Sequence, residues 1–319
     1  MKTITSIILI CVFMLTACTG SETEQSPTAA LKGKLVLGIT DAPVDSAAKV
    51  VVKFTGIELK PANGDSISYT FGTPKEIDLL ALQGGGSELL LDEVTVDSGV
   101  YNWIRLNVEA ESNILDSYLE ELDGTQVSLW IPSGSQTGLK LNDSFVITES
   151  NISDFTIDFD LRKSITNPPG QVDYFLKPRL RLIDNNMAGE LSGTVDESLI
   201  NAEGCSDTAA VYVFSSDVAP EDVDDIDLSD DENTDLGGAD PITAASVELA
   251  QDGIYEYTAA FLTADDYTIA LTCQSGFDDS NIDNDDVNTN GGQTVSFIEI
   301  AQITVTANTT TTHDFIATP

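Results

Sequence analysis

The chain has 319 residues and a formal net charge of −39, with 53 Asp and Glu against 14 Lys and Arg. So large a negative field repels nucleic acid and bare anionic membrane, and the composition supports neither as a partner. Hydrophobic residues make up 41% of the chain, enough for real cores, which excludes a polyanion disordered throughout.

In chain order, Lys2 supplies a short positive start and Ile7 to Ala17 a mostly apolar run. That run is shorter than the roughly 20 residues of a permanent membrane span. It closes in Leu15-Thr16-Ala17-Cys18, which resembles the lipobox of bacterial lipoprotein signal peptides. The resemblance implies a signal peptide over 1–17 and lipid acylation of Cys18, which makes the bilayer a partner through that anchor. An ordinary secretory signal cut nearby is the alternative. Thr19 stands where an inner-membrane retention signal usually places Asp, so the resemblance implies the outer membrane, on either its periplasmic or its surface side. Residues 18–31 are polar and aperiodic, a flexible tether that holds the next domain roughly 20 Å from the membrane.

Residues 32–186 read as a first domain. Strand-like stretches at 33–40, 49–59, 101–109, 126–131, 145–148, 155–161 and 174–183 alternate with turn chemistry such as Asn63-Gly64-Asp65, Gly84-Gly85-Gly86 and Asp123-Gly124. Leu115 to Leu122 reads as a helical turn. Asp41, in Thr40-Asp41-Ala42-Pro43, fits an Asx-turn, with a ligand or catalytic carboxylate as the sharper alternative. Several segments in order resemble a bacterial family known as a domain of unknown function found in lipoproteins. They are Gly33-Lys34-Leu35, Thr40-Asp41-Ala42-Pro43, Ile77-Asp78-Leu79-Leu80, Gly99-Val100-Tyr101 with Ile104-Arg105-Leu106, and Leu176-Lys177-Pro178-Arg179-Leu180. The resemblance covers most of 32–183 and implies a β-rich envelope domain without an assigned activity.

Residues 189–319 read as a second, smaller β-sandwich, with strands at 189–195, 210–214, 246–249, 254–260, 266–273, 295–306 and 313–316. The expected fold class is therefore all-β, two β-sandwich domains in tandem. Leu191-Ser192-Gly193-Thr194-Val195, Val211-Tyr212-Val213-Phe214, Gly253-Ile254-Tyr255-Glu256-Tyr257 and the run Ala264 to Leu271 resemble transthyretin-like or prealbumin-like modules, which serve as carboxypeptidase regulatory domains and surface stalks. Some such stalks carry a Lys-to-Asn isopeptide bond. From Met187 onward this chain has no Lys or Arg and 28 Asp and Glu, so that crosslink has no donor.

Two acidic insertions, 217–240 and 277–290, read as solvated loops. Asp279, Asn281, Asp283 and Asp285 alternate at a spacing that can turn hard oxygens toward calcium, although the glycine and glutamate of an EF-hand loop are missing. Asp222, Asp224, Asp225 and Asp227 form a less patterned cluster. Loose condensation of ions on acidic loops is the bland alternative, and no cofactor is required. With Cys11 removed in the signal peptide and Cys18 lipidated, Cys205 and Cys273 remain, in an exported chain most simply a disulfide.

Period-two alternation places Trp103 and Arg105 outward on one strand, Asp158, Asp160 and Arg162 outward on another, and Lys177, Arg179 and Arg181 outward on a third. If these strands are neighbours, the eight side chains share one face suited to a sugar bearing carboxylate or sulfate. A lattice of Arg and Asp pairs is the competing reading. Enzyme signatures are poor. Gly134-Ser135-Gln136-Thr137-Gly138 misplaces the serine of a hydrolase elbow, and His313 is the only histidine. The sequence reading is a non-enzymatic, lipid-anchored envelope protein that binds a glycan or an envelope protein. A carbohydrate-active hydrolase using paired carboxylates and a structural or assembly lipoprotein are the alternatives.

Overall fold

The computed structural model describes residues 31–42, 47–131, 137–167, 173–202, 205, 208–226, 238–278 and 295–317. The segments expected to be a signal peptide and a tether, up to residue 30 and with Cys18, the calcium candidates Asp279, Asn281, Asp283 and Asp285, and also Asp227 lie outside the described residues. The first half contributes β1 (Lys32–Ala42), β2 (Lys49–Pro61), β3 (Ile67–Asp78), β4 (Glu88–Asp97), β5 (Gly99–Glu109), β6 (Tyr118–Glu120), β7 (Gln126–Trp130), β8 (Leu139–Leu141), β9 (Phe145–Ile147), β10 (Ile152–Asp160), β11 (Ile165–Thr166), β12 (Tyr174–Leu176) and β13 (Leu180–Asp184). The second half contributes β14 (Ala188–Val195), β15 (Ala210–Ser215), β16 (Thr243–Leu249), β17 (Tyr255–Thr263), β18 (Asp265–Thr272), β19 (Phe297–Val305) and β20 (Thr310–Thr312). The helical turn expected over 115–122 is instead a turn at 115–116 that leads into the short strand β6.

Two sheets build the first half. A four-stranded sheet runs β13-β10-β1-β4, and a larger one carries β11-β12-β7-β6-β2-β5-β8, with β3 on β2 and β9 on β5. Alternation explains the core between them: Leu35, Leu37 and Ile39 of β1, Ile57 and Leu59 of β2, Ile104 and Leu106 of β5, and Phe155, Ile157 and Phe159 of β10 are fully or almost fully buried. β1 and β10 pair in parallel from Lys34↔Ile152 to Ala42↔Asp160. The continuous strand expected over 174–183 is broken at Lys177-Pro178-Arg179. Its first piece, β12, joins the large sheet and its second, β13, the small one, with a proline at the crossing where a ladder donor is not needed.

The second half forms one strand order, β19-β18-β15-β16-β17-β14-β20, bent at β16. Residues 243–246 of β16 pair with β15 and residues 247–249 with β17, so the strand turns the corner between two layers. Leu191, Val213, Tyr257, Ile269, Leu271 and Phe315 fill the space between the layers. β15 is buried on both faces, because Tyr212 and Phe214 point away from that core into a second cluster with Val218 and Ile226. Val218 and Ile226 belong to the first acidic insertion. Where it is described, that insertion is thus solvated only in part: Asp217, Glu221 and Asp222 are exposed, whereas Val218 and Ile226 bury against β15. The Asp224 carboxylate accepts N–H groups of Asp225 at 2.9 Å and Gly238 at 2.6 Å, closing the loop on itself.

A buried cation joins the halves. Arg162, in the one-turn helix Leu161–Ser164 that follows β10, donates from Nη1 to Tyr212 Oη at 2.9 Å and to the Ser275 carbonyl at 3.1 Å. Its guanidinium also lies over the Tyr212 ring, 5.7 Å from the centroid. Tyr212 Oη in turn donates to Asp278, whose Oδ2 is 3.9 Å from Arg162 Nη1. Beside it, Lys163 Nζ donates to the Pro241 carbonyl at 2.5 Å. Burial pushes the Asp278 carboxyl up to about 6, against the opposing pull of Arg162 and the Tyr212 hydroxyl.

Cys205 and Cys273 form the expected disulfide, with Cα atoms 5.1 Å apart and a sequence separation of 68. The Cys205→Ser, Cys273→Ser double variant is expected to lose up to about 4 kcal/mol of unfolding free energy, read by urea melts of oxidised wild type against variant. Asp278 gives a second expectation. Its folded pKa lies above the unfolded one, so the folded chain takes up this proton first and gains stability as pH falls from above 6 toward 4. Asp278→Asn removes that component, so the difference in unfolding free energy between wild type and variant changes between pH 7.5 and 5; a constant difference contradicts the assignment.

Candidate functional site

The eight residues expected on a single face divide among four places. Trp103 and Arg105 lie on the outer face of the large sheet, whereas β10 and β13 belong to the small sheet, whose outer face points the opposite way. Alternation decides which side of its own sheet a residue takes, but not which sheet its strand joins. Asp158 and Arg181 stand directly opposite one another on the small sheet, Arg181 Nε and Nη2 donating to Asp158 Oδ2 at 2.9 and 2.6 Å. This pair follows the competing lattice reading. Asp160 and Arg162 are buried rather than exposed: Asp160 caps the helix by accepting the Lys163 N–H at 3.1 Å, and burial raises its pKa. Lys177 and Arg179 are exposed in the link between β12 and β13.

The outer face of the small sheet is turned toward the second half. Between them a cleft of about 230 Å³ opens, with Thr40, Asp41 and Asp158 on one wall and Glu248, Glu256 and Thr258 on the other. Asp41 is not the turn residue expected. It is the penultimate residue of β1, in register with Phe159, and is buried at the end of the strand.

The face that remains open belongs to β3, β2, β5 and β8. Pairing sets Ser68 of β3 opposite Glu58 of β2, Glu58 opposite Arg105, Lys60 opposite Trp103, and Arg105 opposite Lys140 of β8. All these side chains therefore project to one side. Ser68, Thr70 and Lys140 are exposed, and Trp103, Arg105 and Asn107 are half-buried. Arg105 Nη1 donates to Glu58 Oε2 at 2.8 Å. The Arg105 guanidinium and the Lys140 ammonium lie over the Trp103 ring, 4.9 and 4.8 Å from its centroid. Lys140 was not among the residues singled out in the sequence, because Leu139-Lys140-Leu141 is too short a run to register as a strand.

Gly138 brings β8 against β5. Its φ is +60°, and a Cβ there would sit 2.5 Å from the Leu106 carbonyl oxygen and 2.9 Å from Arg105 Cγ. Gly138→Ala is expected to cost about 1–3 kcal/mol through left-handed strain and this clash. It should also displace the Arg105 side chain, seen as altered Trp103 fluorescence alongside a lower midpoint in urea.

Residues 32–178 match the family model described as a domain of unknown function, DUF4382. No curated protein matches the chain. Among solved structures, the chain is similar to a leucine-rich repeat protein from Bacteroides thetaiotaomicron, at 13% identity and a TM-score of 0.20, covering 90% of this chain and 26% of that one. It is also similar to the Bacillus anthracis TIE protein, at 11% identity and 0.18, covering 89% and 33%. A third is the minor pilin of Streptococcus agalactiae, at 10% identity and 0.17, covering 89% and 97%. The chain thus spans about a quarter to a third of the first two proteins, and TM-scores at this level do not define a shared fold.

Proposed function

We propose that this protein is a lipid-anchored outer-membrane protein that binds glycan or another envelope ligand without chemically transforming it. The observation that carries the reading is the open face of β3, β2, β5 and β8, which carries half-buried Trp103 together with hydroxyl, amide and cationic side chains. Open faces of this kind offer apolar and hydrogen-bonding contact to a sugar chain while leaving it in solvent, which suits retention rather than turnover. The Leu15-Thr16-Ala17-Cys18 motif supports the anchor, and the second sandwich, read as a transthyretin-like module, is then a rigid companion to the binding half.

The cleft beside Asp158 favours a second reading, a hydrolase with carboxylates on opposite walls. Against it, Asp158 Oδ2 is already occupied by two hydrogen bonds from Arg181 across the sheet, which leaves that oxygen unavailable to a substrate. A glycan array with wild type and Trp103→Ala separates the two readings. The binding reading expects the variant, folded by circular dichroism, to lose at least about tenfold in signal, because a buried or stacked aromatic contributes on the order of 1–2 kcal/mol. Equal signals from the two proteins, or release of new reducing ends from a bound glycan, count against it.

A further inference from the structure

Arg105 and Lys140 are directly opposite in the β5–β8 pair. Like charges at such positions repel and weaken a sheet. In a chain with 53 acidic residues, a carboxylate opposite Arg105 on β8 would have been the stabilising choice. Instead both cations are held over one indole ring, within 5 Å of its centroid. The ring quadrupole attracts each of them but does not neutralise either.

Charge neutralisation on this face is incomplete. Glu58 takes one N–H of Arg105, while Arg105 Nε is shielded from solvent with no acceptor. Lys140 is exposed and has no acidic partner among the described residues. Lys60, opposite Trp103, donates to the Gly64 carbonyl at 2.7 Å. Lys177 and Arg179 line a separate hollow with Gly138 and Leu139 and are not part of this face. Arg105 and Lys140 are thus incompletely neutralised in a protein whose net charge is strongly negative. Salt screens the rest of the acidic surface beyond roughly 8–10 Å, so a ligand at this face meets mainly these local charges.

We propose that Arg105 and Lys140, positioned by Trp103, form an oxyanion site for the carboxylate or sulfate groups of an acidic saccharide. The inference rests on the reading of this face as a glycan surface and names the ligand class. An oxyanion between the two cations relieves their repulsion and accepts charge-assisted hydrogen bonds from both, with the guanidinium supplying planar geometry and the ammonium a point charge. Neutral sugars gain neither.

The test is calorimetric titration of the full chain in detergent with three probes: an oligogalacturonate, a sulfated dextran oligosaccharide and neutral dextran. The expected result is binding of at least one acidic probe ten or more times tighter than dextran, weakening as salt is raised. Preference between the two acidic probes tells carboxylate from sulfate. Lys140→Glu, at an exposed position, is expected to reduce acidic-probe affinity at least tenfold while raising the melting temperature, since the new side chain pairs with Arg105. Lys140→Gln is expected to fall between wild type and Lys140→Glu in both respects. A purely structural role for Lys140 does not produce opposite movements in binding and stability. Equal affinity for acidic and neutral probes overturns the oxyanion site and leaves the glycan surface standing. Unchanged acidic-probe affinity in Lys140→Glu overturns it too, and no binding of any probe overturns both.

Discussion

The arrangement of this molecule depends on one guanidinium that is almost wholly withdrawn from water. Arg162 leaves the end of β10 and reaches into the second half, where a tyrosine hydroxyl, a backbone carbonyl and a carboxylate receive it. A buried charge is tolerated only when its partners are supplied in full, so the position of one half over the other is specified by hydrogen-bond geometry as well as by apolar contact. With the second half set over the small sheet, the outward residues of β10 become interior ones. The remaining open face of the first half is the one around Trp103. The candidate site and the junction are thus two results of the same docking.

The distribution of charge fits this division. Met187 to the end has no Lys or Arg, so the junction draws its cations from the first half, from Arg162 and Lys163. The acidic half is nevertheless well packed where it is described. Val218 and Ile226 cover the outer side of β15, and Asp224 spends its charge on backbone N–H groups rather than on solvent alone. Acidity and burial coexist because carboxylates near apolar anchors can serve as local acceptors, which composition does not reveal.

Much of the fold was legible. Alternating runs gave β1, β2, β5 and β10, with the expected core faces on β5 and β10, and Cys205 and Cys273 pair as expected. β3 and β4 were missed for physical reasons: β3 is an edge strand, largely exposed, with Gly72 and Pro74 in it, and β4 begins with three consecutive leucines followed by acids, which is not an alternating pattern. The site was legible only in part. Trp103 and Arg105 lie on the outward side of β5 as expected, because alternation within a strand is local. Their expected companions were wrong because sheet membership is set by long-range pairing, and Pro178 moved the last strand from one sheet to the other. Lys140 had no signal of its own, since its meaning comes from standing opposite Arg105.

The parallel pairing of β1 with β10 has a mechanical consequence. A pull on the chain ahead of Lys32 acts along β1, whose ladder with β10 extends from Lys34 to Ala42 while β4 holds its other edge. Such a force loads the hydrogen bonds on both sides together, in shear, instead of peeling them one at a time from a free end. β1 is therefore an interior strand held on both edges, the arrangement in which a strand resists tension along its own axis.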